Sequence, residues 1–169
     1  MAYSGLLRGF SNEEFEKRVD RAQRLLHEEG ISALLVCTEP EVRYLTGFHT
    51  PFWQSPTRPW FVILPRSGKP VAVIPSIGEA SMSETWIDDI RTWSSPNPSD
   101  EGVSLLAETL REILDTPCEI SNESLKIGLP MGNETHLRMP LIDFQQLNEK
   151  LSPHIFVDAT EIIKTLRCI

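Results

Sequence analysis

Cysteine is scarce in this sequence. Cys37, Cys118 and Cys168 stand far apart, no CxxC occurs, and the number is odd. That pattern argues against a disulfide framework and against a zinc ribbon. The four histidines, His27, His49, His136 and His154, are equally scattered, with no HExxH and no Cys/His cluster. The chain is therefore expected to hold no metal by itself. No apolar run approaches the roughly 20 residues that span a bilayer, so no membrane partner is expected. The opening MAYSGLLRGFSNEEF lacks a basic start followed by an apolar stretch, which gives no secretory signal and points to a cytoplasmic location. Dinucleotide (GxGxxG), P-loop (GxxxxGK) and nucleophile-elbow (GxSxG) signatures are all missing. Basic charge is in deficit: the net charge is -8, a balance that repels phosphate backbones and disfavours nucleic acid.

What is present is a globular composition, 40% hydrophobic and 24% charged, in a length that suits one domain with a real core. A first helix is announced by Ser11 as N-cap, Glu14 to close a capping box, and Phe10 to staple onto Phe15. Phe15, Val19, Ala22 and Leu26 recur at helical spacing, and Gly30 stops the run. Its KRVDRAQR face (Lys17 to Arg24) reads as solvated, paired with Glu13, Glu14, Glu28 and Glu29. ISALLVC is a buried strand, followed by a short helical turn from Pro40 that Gly47 ends. WFVILP and PVAVIP flank RSGK as a hairpin. Ser76 starts a helix reaching about Trp86, and DDIRTW is a strand. A helix runs from about Asp100 to Leu114. TPCEISNES is a loop, SLKIGLP a strand, and GLPMGNETH a plain loop. Pro140 opens LIDFQQLNEKL at the first helical position. HIFVDAT is the last strand. Asp158 caps a final helix, with Glu161 completing the box. The alternation predicts an α/β fold, a mixed β-sheet flanked by helices on both faces.

One stretch is unusual. EVRYLTGFHTPFWQSPTRPW (Glu41 to Trp60) gathers Tyr44, Phe48, Phe52, Trp53 and Trp60 where Pro51, Pro56 and Pro59 forbid a long helix or central strand. Tyr44 and Phe48 are expected to pack in the core. Phe52, Trp53 and Arg58 lie between prolines, where a stiff, exposed backbone can present an aromatic wall and a guanidinium to a small molecule. His49 could donate a hydrogen bond there.

The final helix carries Ile162, Ile163, Leu166 and Ile169 at helical spacing with no stop signal. It is expected to lead into a second domain.

Two motifs carry a family resemblance: RYLTGF (Arg43 to Phe48) after a buried strand and a TEPE turn, and IIKTLRCI (Ile162 to Ile169) at the end. In this order the sequence, from about Ser11 onward, resembles the N-terminal domain of the creatinase, aminopeptidase P and prolidase family. The resemblance implies that residues 1–157 form that domain and that 158–169 begin a linker helix to a C-terminal catalytic domain. That domain, a pita-bread fold, would bind two divalent metals (Mn, Co or Zn) through two Asp, one His and two Glu, none of them in this region. The resemblance further implies a homodimer, in which the region after the YLTGF-like motif reaches the partner's active site. Phe52, Trp53, Arg58 and His49 would then form a substrate-access or cross-subunit wall. A Xaa-Pro peptidase acting on short proline-containing peptides is the first expectation, with no catalytic residue in this chain. The alternatives are a creatinase-like or dimethylsulfoniopropionate-lyase-like parent taking a small cationic substrate, or a stand-alone protein-binding module.

Overall fold

The computed structural model describes residues 9–55, 58–115 and 124–167. The loop TPCEISNES falls almost wholly outside the described residues, as do Pro56, Cys118, Cys168 and Ile169. The elements follow in the order α1 (Asn12–Glu28), β1 (Ala33–Val36), α2 (Glu39–Thr46), β2 (Phe61–Pro65), β3 (Val71–Pro75), α3 (Glu79–Ser83), β4 (Asp89–Trp93), α4 (Val103–Leu114), β5 (Lys126–Leu129), α5 (Leu141–Lys150), β6 (Ile155–Asp158) and α6 (Thr160–Arg167). No helix among the described residues is long and apolar enough to cross a membrane.

Local signals explain most boundaries. Ser11 accepts from the Glu14 N–H at 3.4 Å, and Phe10 meets Phe15 edge-on, ring centroids 6.2 Å apart. The capping box does not close. Glu14 instead binds Arg18 at 3.0 Å, because Arg18 is held over the Phe10 and Tyr44 rings and offers a full charge within reach. Glu161 likewise turns to Lys164 rather than back to the cap. The basic face of α1 is less solvated than expected. Arg21 donates to the Thr165 carbonyl, and Gln23 to those of Pro65 and Gly68, so this face is tied to neighbouring elements. The helix expected over Ser76 to Trp86 is a 3-10 turn followed by the short α3, ended where the Thr85 hydroxyl donates to the Met82 carbonyl. Pro140 sits one position earlier than expected, as the N-cap of α5.

The sheet has six strands in the order β4-β3-β2-β1-β5-β6. β2 is antiparallel to both β1 and β3, while the β3–β4, β1–β5 and β5–β6 pairs are parallel. β2 is thus the one reversed strand of a mixed sheet. Alternation along β1 splits the core. Leu34 and Val36 join the α1, α2 and α6 side, and Ala33, Leu35 and Cys37 join the α4 and α5 side. Helices cover both faces, as the alternating pattern predicts.

α6 belongs to this core. Ile162, Ile163 and Leu166 are 6%, 5% and 4% exposed, so their apolar stripe is filled from within the domain and does not itself call for a neighbour. Its last turn is stapled down: the Tyr44 hydroxyl donates to the Leu166 carbonyl at 3.2 Å, and Arg167 pairs with Glu41.

The register places the site. Val36, at the carboxyl end of β1, lies opposite Val62 near the start of β2, and β5 runs parallel on the other side. From this edge the chain leaves β1 toward β2 and leaves β5 toward β6. Such a divergence at the carboxyl ends of parallel strands is where α/β sheets open a crevice.

Candidate functional site

The aromatic stretch is built from its helix outward. α2 ends at Gly47, whose φ of 72° lies in the left-handed region that a side chain disfavours. The Thr46 hydroxyl donates to the Val42 carbonyl at 2.7 Å and accepts from the Phe48 N–H at 3.0 Å, turning the chain inward. Phe48 is fully buried. Thr50 then caps a single 3-10 turn, Pro51–Gln54, its hydroxyl accepting from the Phe52 N–H at 3.3 Å.

Two buried rings carry two accessible ones. Phe48 and Trp60, both 0% exposed, pack with centroids 5.3 Å apart. Phe52, 36% exposed, stacks on Trp60 at 6.5 Å and 17°. Trp53, half-buried, meets Trp60 at 5.9 Å and Phe48 edge-on at 6.4 Å. Such rings hold one another in tilted and offset geometries. The wall therefore rests on the buried rings of Phe48 and Trp60.

Of the four residues singled out in the sequence, the structure brings Phe52 and Trp53 into this cluster. His49 is exposed and lies beside Glu39, 4.0 Å from its carboxylate. Arg58 is half-buried; its carbonyl faces the cluster, and its charge acts on Glu101, before α4.

Sequence reasoning missed Arg138, in the loop after β5. Its guanidinium carbon sits 5.1 Å from the centre of the Trp53 ring, and its nitrogens donate to the carbonyls of Arg58 (2.6 Å), Trp53 (3.2 Å) and Ser55. Its own N–H donates to the Cys37 sulfur at 3.3 Å. Burial pushes the Cys37 thiol up to about 11, so it stays protonated and unreactive at neutral pH. Nothing in MGNETHLRM marks this arginine.

Next to Cys37, at the carboxyl ends of β1 and β5, lies a cavity of about 90 Å³ lined by Cys37, Thr38, Glu41, His136 and Arg167 among others. Glu41 is 8% exposed; one oxygen binds Arg167 and the other has no hydrogen-bond partner. Among the described residues, no group of three or more His, Cys, Asp or Glu could hold a metal ion. The arrangement offers aromatic walls, hydrogen-bond donors and a positive group.

The profile of the Creatinase/Prolidase N-terminal domain family matches residues 18–169. No curated protein matches the sequence significantly. Solved structures show the same fold. Dipeptidase PepE from Mycobacterium ulcerans is 21% identical with a TM-score of 0.66, over 94% of this chain and 38% of that one. A prolidase from Thermococcus sibiricus is 22% identical with a TM-score of 0.69, over 90% and 36%. A proline dipeptidase from Streptococcus agalactiae is 16% identical with a TM-score of 0.64, over 90% and 99%. The chain thus spans well under half the length of the first two.

Proposed function

The chain belongs to the creatinase/prolidase N-terminal domain family, and we propose that it is the non-catalytic N-terminal domain of a Xaa-Pro peptidase, shaping substrate access to a catalytic site on another domain. The observation that carries this is the aromatic turn. Phe52 is exposed and Trp53 half-buried, and both rest on buried rings, Phe48 and Trp60, beside the carboxyl end of β1 and the start of β2. A surface that is aromatic, rigid and partly exposed suits a wall against a small substrate.

The charge beside that wall favours a peptide over a small cation. The Arg138 guanidinium already lies against the Trp53 ring. A second cation there would meet like charge, whereas the carboxylate of a short peptide would be attracted. Divalent metals would be supplied by the catalytic domain, and the homodimer would bring the wall to the partner's active site. These two features rest on family likeness.

The test is kinetic. The full-length enzyme is assayed on Xaa-Pro dipeptides with Mn²⁺, beside the isolated domain and a Trp53→Ala variant. The domain alone should be inactive, and the variant should raise KM about tenfold with little change in kcat, the mark of lost substrate binding. Hydrolysis by the isolated domain, or an unmoved KM in the variant, refutes the proposal.

A further inference from the structure

We propose that Arg138 is a positioning residue for the aromatic turn, setting the place of Trp53 by gathering the main-chain carbonyls on either side of residues 56–57. The turn has to be held from outside. Pro51, Pro56 and Pro59 supply no N–H to a ladder, and among the described residues the segment between α2 and β2 pairs with no strand. The carbonyls of Trp53, Ser55 and Arg58 all take their donors from the one guanidinium. A planar fork of five N–H groups can serve three acceptors at once, where an ammonium offers a single compact charge.

The anchor is itself fixed. The Arg138 N–H is bound to Cys37 at the end of β1, so the clamp joins the turn to the centre of the sheet. Among the described residues no carboxylate forms an ion pair with Arg138. Its N–H groups go to carbonyl dipoles and its plane lies against Trp53, while the Glu39 carboxylate acts on it only from beyond ion-pair distance. A cation kept partly buried with no carboxylate bound to it is costly, and the return here is the shape of one loop.

The kinetic consequence rests on the proposal that this turn is a substrate wall; the clamp does not. Arg138→Lys and Arg138→Met are made in the full-length enzyme, and amide exchange is followed by mass spectrometry in peptides over residues 50–60. Exchange there should quicken about tenfold or more in both variants, while the strands exchange as before. Lysine should fail to restore protection. If Arg138→Met does not fold, Arg138→Lys alone decides. Wild-type exchange in the turn of Arg138→Lys overturns the clamp. KM for an Xaa-Pro dipeptide should rise about tenfold with kcat nearly held. Quickened exchange with an unmoved KM leaves the clamp standing and sinks the substrate-wall reading instead.

Discussion

Gly78 is pressed against the indole of Trp60. A Cβ on Gly78 would come within 2.2 Å of Trp60 Cζ3 and 2.8 Å of Cη2. The obstacle is a fully buried ring, not the end of a mobile side chain. The 3-10 turn that opens toward α3 and the aromatic cluster are therefore a single packing problem.

Gly78→Ala should cost about 1–3 kcal/mol, the range for overpacking a filled core. Urea unfolding should show a lower midpoint at unchanged slope. Because Phe52 and Trp53 rest on Trp60, the native tryptophan emission should also shift. An unchanged midpoint would mean that the ring has room to retreat.

Thr160 ties the loop after β5 to α6. Its hydroxyl accepts from the N–H groups of Met131 (3.2 Å) and Gly132 (2.7 Å) and donates to Asp158 at 2.5 Å. Thr160→Val keeps the shape and removes the oxygen. Stability should drop by about 1–3 kcal/mol, the cost of leaving such donors without their acceptor. Thr160→Ser should recover most of it. Equal losses in both variants would show that the methyl group, not the oxygen, matters.

Asp158 makes that network pH-sensitive. The Thr160 hydroxyl, then the Met131 and Thr160 N–H groups, hold its carboxyl below the ordinary 3.8. A depressed acid contributes stability that is fully present above its unfolded value and is lost as pH falls through its folded one. The stability difference between wild type and Asp158→Asn should be flat from about pH 5 to 7 and shrink below about pH 4. Denaturant titrations at successive pH values measure it. A difference that grows on acidification would reverse the sign and discard the assignment.

Cys37 should be silent to thiol reagents in the native protein. Its thiol is buried and raised to about 11, so both access and thiolate are lacking. After iodoacetamide at pH 8, mass spectrometry of the Cys37 peptide should find it unmodified, and modified once urea is added. Native labelling at the rate of a free thiol would contradict the packing around Arg138.

Much of the fold could be read from local pattern. Apolar runs bounded by Pro, Gly and short polar turns marked the β2–β3 hairpin, and the Phe15, Val19, Ala22, Leu26 spacing marked α1 and its buried face. The order of strands was not legible, since β1 meets β5 through contacts far apart in sequence. The stripe on α6 was visible, but periodicity says that a face is covered and not what covers it. Ile162 and Leu166 turned out to be covered by the domain itself. At the site, Phe52 and Trp53 stood out by residue type. Arg138 did not, because its partners are main-chain carbonyls, which any residue carries and no pattern betrays. The Glu41–Arg167 pair, 126 positions apart, was equally hidden.

α6 decides where this protein can be cut. Ile163 and Leu166 close over Leu34 and Leu45 like a shutter, and Tyr44, Arg21 and Glu41 latch its final turn from outside. A fragment trimmed after β6 would keep α1 and α2 on that face but strip the α6 cover from Leu34 and Leu45, however natural the break looks at the end of the last strand. A self-sufficient piece has to carry the helix through Arg167.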